Sequence, residues 1–219
     1  MRGVTSVKEP ATMKDKIYNR IMEDILSHQY SDREVINEKD LVEKYGCSKT
    51  PIREALISLC NENVLRSIPR YGYEVVRLST DDVMNMLQYR FAVESGVILP
   101  GLKRFGKNQI TALREIDKAC RETGDVWEHW DLNSAFHIRM LVFAGNPFAG
   151  SRVESCINEL KRAYAQFCWD NATPMPLADD IKHHQDILKA LESHDEELLM
   201  KSLRADVYDF AANQLEQSW

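Results

Sequence analysis

The sequence is poor in the features that mark several common protein classes. No apolar run approaches the roughly 18–20 residues that a membrane-spanning helix needs, which argues against a helical membrane protein. The opening stretch MRGVTSVKEPATMKDK lacks the apolar segment of a secretory signal, so a cytoplasmic location is expected. The five cysteines (47, 60, 120, 156 and 168) are odd in number and scattered, with no C-x-x-C pair. Buried thiols in a reducing compartment are therefore expected, not a disulfide framework or a zinc ribbon. Glycine-rich phosphate loops, H-E-x-x-H and nucleophile constellations are also absent, which weakens any case for an enzyme. Internal repeats and low-complexity tracts are missing as well.

What is present begins with an uneven charge. The chain of 219 residues carries a net charge of −6, yet residues 1–78 hold 13 Lys and Arg against 12 Asp and Glu. Residues 79–219 hold 15 against 22, so nearly all the acidity lies in the second part. A near-neutral segment binds DNA well when its positive charges share one face, because affinity follows local phosphate contacts. An acidic remainder makes a poor DNA surface. Two parts with different tasks are implied.

Periodicity supports that division. MKDKIYNRIMEDILSHQY (13–30) places Ile17, Ile21 and Ile25 at helical spacing, and INEKDLVEKYG (36–46) reads as a short helix closed by Gly46. A third helix should open near residues 50–51, with Ser48 and Thr50 as caps and Pro51 in the first turn, burying Ile52, Ala55, Leu56 and Leu59. VLRSIPRYGYEVVRL (64–78) then reads as a β-hairpin turning at PRYG. Three helices and a ribbon make a winged helix-turn-helix. From the cap STDD at 79–82 onward the pattern is helical, in segments 80–105, 108–122, 125–144, 147–170, 178–193 and 195–216, with a break at NATPMP (171–176). Short connections predict an antiparallel bundle. The expected fold class is mainly α: a winged helix-turn-helix domain over 1–78, then an all-helical domain over 79–219.

The first turn of the third helix presents Lys49, Thr50 and Arg53, a poor set for a buried surface and a good one for gripping phosphate or a base edge. The surrounding EKDLVEKYGCSKTPIREALISLCNENVLRSIPRYGYEV resembles the N-terminal domain of GntR-type transcription regulators, and SKTPIREAL is its most specific part. The resemblance implies that Lys39, Lys49, Thr50 and Arg53 approach DNA through two helices, with Arg70 and Gly72 in a wing at the minor groove. Lys39 and Lys49 stand where that family commonly has arginine. Lysine lacks the planar fork that reads guanine, so specificity at those positions is either relaxed or carried by Arg53. A structural ion pair between Arg53 and Glu54 is the competing assignment.

MLQYRFAVESG (86–96) and LNSAFHIRMLVFAGNP (132–147) resemble the all-helical FCD effector domain of the FadR subfamily. Arg90 and Glu94 match its R-x-x-x-E element, His137 its first histidine and His184 a later one. Asn133 stands where aspartate is usual, and Asp206 where a further histidine is expected. Asn133 and His137, four apart, project from one helix face. Two imidazoles, an amide oxygen and a carboxylate suit a divalent cation such as zinc, nickel or manganese. Of the adjacent His183 and His184, spacing to Ile187, Leu188 and Leu191 turns His184 inward.

Arg90 pairs naturally with Glu94, and an inward arginine beside a cation would also clamp a carboxylate, so a small organic acid is the expected effector. The resemblance further implies a homodimer acting on a palindromic DNA operator. The alternatives are a metal-free helical domain that only dimerises or binds a ligand in a polar pocket and, more remotely, a metal-dependent hydrolase.

Overall fold

The computed structural model describes residues 12–168 and 181–214, and the chain divides into two compact units between Arg77 and Leu78. The break expected at 171–176 and the start of the 178–193 segment lie outside the described residues.

The first unit is a winged helix-turn-helix: α1 (Met13–Leu26), β1 (Val35–Ile36), α2 (Glu38–Tyr45), α3 (Lys49–Asn61), β2 (Leu65–Ile68) and β3 (Gly72–Val75). A capping box at Thr12 and Asp15 opens α1, and Gly46 closes α2 in the left-handed conformation, at φ 62°. Ile17, Ile21 and Ile25 of α1 pack with Ile52, Ala55, Leu56 and Leu59 of α3 in one buried cluster. Each fully buried aliphatic side chain there contributes about 1.5–3 kcal/mol. Ser48 is the residue before α3, without a side-chain capping bond, so the helix starts a residue or two earlier than its sequence suggests. Pro51 still falls in the first turn, where its missing N–H breaks no helical bond.

The sheet is larger than the expected hairpin. Its order is β1-β3-β2, both pairs antiparallel, with Val35 opposite Glu74 and Leu65 opposite Val75. A two-residue strand carries no alternation to read, and β1 exists through its pairing with β3. Gly72 is needed for that pairing: a Cβ there would lie 2.5 Å from the Ile36 carbonyl oxygen.

The second unit is a helical bundle: α4 (Thr80–Gly101), a short 3₁₀ turn (Leu102–Arg104), α5 (Lys107–Glu122), α6 (Val126–Phe143), α7 (Pro147–Cys168), α8 (His184–Ser193) and α9 (Glu196–Gln214). Ser79 and Asp82 form a capping box at the start of α4, and the Asp125 carboxylate accepts the Trp127 and Glu128 N–H groups at the start of α6. One apolar core includes Leu87, Leu113, Phe136, Leu160, Leu188 and Leu203, drawn from all six helices. Among the described residues no helix is long and apolar enough to cross a membrane. Cys120 and Cys156 are buried as expected, whereas Cys47 and Cys60 are only half-buried; all four are free thiols.

Candidate metal centre and nucleic-acid interface

Charged and imidazole groups are buried together inside the helical unit. Arg90 and Glu94 come from α4, Asp117 from α5, Asn133 and His137 from α6, His184 from α8 and Asp206 from α9, and all seven are buried. Their positions follow from helical spacing. Asp117 continues the apolar stripe of Ile110, Leu113 and Cys120, and Asn133 precedes His137 by one turn on the inner face of α6.

His137, His184 and Asp206 bring one ligand atom each within 4.8 Å of one another. His137 Nε2 lies 3.1 Å and His184 Nε2 3.7 Å from the Asp206 carboxylate oxygens. Neither contact has hydrogen-bond geometry, which leaves both Nε2 atoms and Asp206 Oδ1 without a hydrogen-bond partner among the described residues. The opposite edge of each ring is anchored by a carboxylate. His137 Nδ1 meets Glu94 Oε2 at 2.7 Å, and His184 Nδ1 meets Asp117 Oδ1 at 3.1 Å. A carboxylate at Nδ1 holds the ring proton there and turns the Nε2 lone pair inward, as in carboxylate–histidine–metal triads. Phe136 stacks on His184 at 4.0 Å between ring centres and fixes its plane. The separations of 3.1 and 3.7 Å from the two imidazoles to Asp206 suit metal bonds of about 2.0–2.2 Å, so the chemistry of these residues fits a divalent cation.

Arg90 completes the cluster. Its Nε donates to Glu94 Oε1 at 2.6 Å, and its Nη2 lies 3.9 Å from Asp206 Oδ2. Burial pushes the Glu94 carboxyl up, but the Arg90 guanidinium and His137 outweigh it and hold it below the usual carboxylate range. Burial likewise opposes ionisation of Asp206, yet the neighbouring His137, His184 and Arg90 bring it down to about 2. For His137, burial and Arg90 favour the neutral ring, and the Glu94 and Asp206 carboxylates overcome them and raise its pKa. Two carboxylates thus face the Arg90 guanidinium and the His137 ring.

Sequence reasoning named Asn133, His137, His184, Asp206 and Arg90, and all five are buried in this unit. It gave Glu94 only as a partner of Arg90 and did not single out Asp117 at all. The available signal for Asp117 was a charge on an otherwise apolar stripe. His183 lies at the edge, 3.0 Å from Asp209, and Asp131 is exposed and pairs with Lys161.

In the first unit, Lys39, Lys49, Thr50, Arg53 and Arg70 are exposed, while Gly72 is half-buried at the start of β3. Lys39 faces Glu43 one turn on, at 3.8 Å. Arg53 pairs with Glu38 of α2 and not with Glu54: Nε donates to Oε1 and Nη2 to Oε2, each at 3.0 Å. At the wing tip, Tyr71 N–H bonds the Ile68 carbonyl at 3.0 Å, and Arg70 is held at φ 72° behind Pro69. That is the pattern of a type II turn, with arginine at the position that favours glycine.

Comparison with known proteins identifies a family for each of the two units. Residues 13–75 match the gntR family of bacterial regulatory proteins, and residues 85–208 match the FCD domain. An uncharacterized HTH-type transcriptional regulator in an unstable DNA locus of Streptomyces ambofaciens is 25% identical over 194 residues, covering 88% of this chain and 81% of that protein. The HTH-type transcriptional repressor RspR of Escherichia coli is 22% identical over 203 residues, covering 91% and 87%. Among solved structures, E. coli McbR/YncC shares the fold over 96% of this chain and all of its own, with a TM-score of 0.75 at 18% identity.

Proposed function

This chain belongs to the gntR family of bacterial regulatory proteins and carries an FCD domain as its second part; from that premise we propose a ligand-responsive transcriptional regulator that takes up a small organic acid through a divalent metal. The DNA-binding and effector-binding domains are assigned to residues 1–78 and 79–219. In the first, Arg53 reads a base edge, while Lys39, Lys49, Thr50 and Arg70 grip the backbone or the minor groove. Gly72 serves the wing by permitting its close approach to β1. The second domain also dimerises, so that two reading heads meet a palindromic operator in the cytoplasm.

The observation that carries the metal reading is the pair of buried imidazoles, each anchored at Nδ1 and unbonded at Nε2, facing one carboxylate. His137, His184 and Asp206 would hold the cation, with the Asn133 amide oxygen as fourth donor. When bound, zinc, nickel or manganese supplies a Lewis-acidic attachment point for carboxylate oxygens. Glu94 and Asp117 orient the two rings. Arg90 steadies Glu94 and offers positive charge beside Asp206, where an effector carboxylate would arrive. Such a ligand changes DNA affinity only by binding two arrangements of the protein unequally, and a coupling of about 1–3 kcal/mol is sufficient. Regulators among the relatives favour this role over the hydrolase alternative.

The charge balance at His137 favours a second reading, a metal-free polar pocket in which Arg90 and a protonated His137 offset Glu94 and Asp206. Metal analysis separates the two. Wild type dialysed against zinc, nickel or manganese should retain about one ion per chain, and His137→Ala with His184→Ala should retain none and lose its thermal shift with organic acids. A wild type that takes up no metal, with a double variant that still responds to acids, would establish the metal-free pocket. Sedimentation at micromolar concentration tests the dimer, and a monomer both free and on DNA would refute it.

A further inference from the structure

Arg53 does not stand alone on the recognition helix. Its guanidinium meets the Glu38 carboxylate side-on through two hydrogen bonds, each of 3.0 Å. Glu38 opens α2, and its Oε1 also accepts the Tyr73 hydroxyl of β3 at 3.3 Å. Three elements therefore converge on one carboxylate. The Glu38 side chain is 21% exposed and that of Arg53 is 61% exposed, so the acid is seated and the base projects.

Stability is a weak reason for this arrangement. Exposed ion pairs contribute only about 0–1 kcal/mol, and an arginine meant only for phosphate gains nothing from a carboxylate that cancels its charge. Geometry is a better one. A bidentate pair fixes both the plane and the direction of a guanidinium that would otherwise sample many rotamers. Glu38 takes the Nε–H and one Nη2–H, which leaves one Nη1–H and the second Nη2–H as the parallel end-on donors, and two parallel donors are what guanine O6 and N7 accept.

We propose that Glu38, seated by Tyr73, is the residue that positions Arg53 and thereby sets operator discrimination. This rests on the base-reading role of Arg53 proposed above. Glutamine at position 38 keeps the size but turns an NH2 toward the guanidinium, so one of the two parallel bonds is lost. Removing the tyrosine hydroxyl frees the carboxylate more gently.

The test uses full-length protein and a duplex selected by wild type from a random-sequence library, with a scrambled duplex as the non-specific control. Glu38→Gln should lower the ratio of selected to scrambled affinity about tenfold, with scrambled binding unchanged or tighter. Tyr73→Phe should lower the same ratio less, and thermal melting should show both variants folded. In an Arg53→Ala background, Glu38→Gln should change the ratio no further. A Glu38→Gln ratio within twofold of wild type, beside an Arg53→Ala ratio that collapses, would overturn the positioning role alone. Equal weakening on both duplexes would overturn it too. An Arg53→Ala protein that still discriminates would remove the base-reading role and this proposal with it.

Discussion

Asp117 and His184 meet from two different helices, carboxylate Oδ1 to imidazole Nδ1, at 3.1 Å. Arg121 forks onto the same carboxylate at 3.0 and 3.1 Å, and Gln185 donates to it at 2.6 Å. Burial pushes the Asp117 carboxyl up, but His184 and Arg121 hold it below the ordinary range, so it stays an acceptor.

Asp117→Asn should therefore act on His184 without emptying the core. An amide holds the ring tautomer poorly, and loss of such an outer partner lowers metal affinity about 10–100-fold. Chelator competition measures this. Wild-type affinity in the variant would show that His184 needs no anchor.

On the recognition helix, Arg53→Ala should cost about 1–3 kcal/mol of operator binding and relax preference at one base pair. Lys49→Ala should weaken all duplexes alike and reduce the salt slope by about one unit. Footprinting with salt titration distinguishes the two; an Arg53→Ala protein with unchanged operator affinity removes that residue from base reading.

At the wing tip, Arg70 is held at φ 72°, a backbone region that costs a side-chain-bearing residue roughly 1–2 kcal/mol. Arg70→Gly should relieve this, raise the melting temperature of the first unit by a few degrees and weaken DNA binding. A variant that melts lower and binds DNA as tightly as wild type contradicts both expectations.

The capping box at α4 gives a pH signature. The Ser79 hydroxyl and N–H hold the Asp82 carboxyl below its ordinary value of about 3.9. A depressed carboxyl contributes stability that is full above its unfolded value and is lost as pH falls through the lower folded one. Asp82→Asn should melt below wild type at pH 7, and the gap should close under about pH 4. A gap independent of pH would show that the charge is immaterial.

Much of this protein was legible because its apolar residues recur at helical spacing. Ile17, Ile21 and Ile25, and Ile52, Ala55, Leu56 and Leu59, face one core as the stripe requires. Asn133 and His137 could be paired because four residues make about one turn. Partners brought from elsewhere in the chain were harder to find. Asp117 reaches His184 across 67 positions, and no local pattern marks that distance. The Arg53 pairing with Glu54 failed for a simple reason: adjacent residues on a helix point about 100° apart, so the guanidinium found an acid on α2. Strand β1 escaped detection because two residues cannot show a period.

The donors of the candidate centre sit on α6, α8 and α9, far apart along the chain. An ion shared among them would tie off long loops, and a tie of that kind penalises the unfolded chain, which must forgo either the loops' freedom or the metal. Folded regulator would then accumulate where the ion is plentiful and be lost to proteolysis where it is scarce. The cell's metal supply would set the number of molecules available to occupy the operator, independently of any acid those molecules sense.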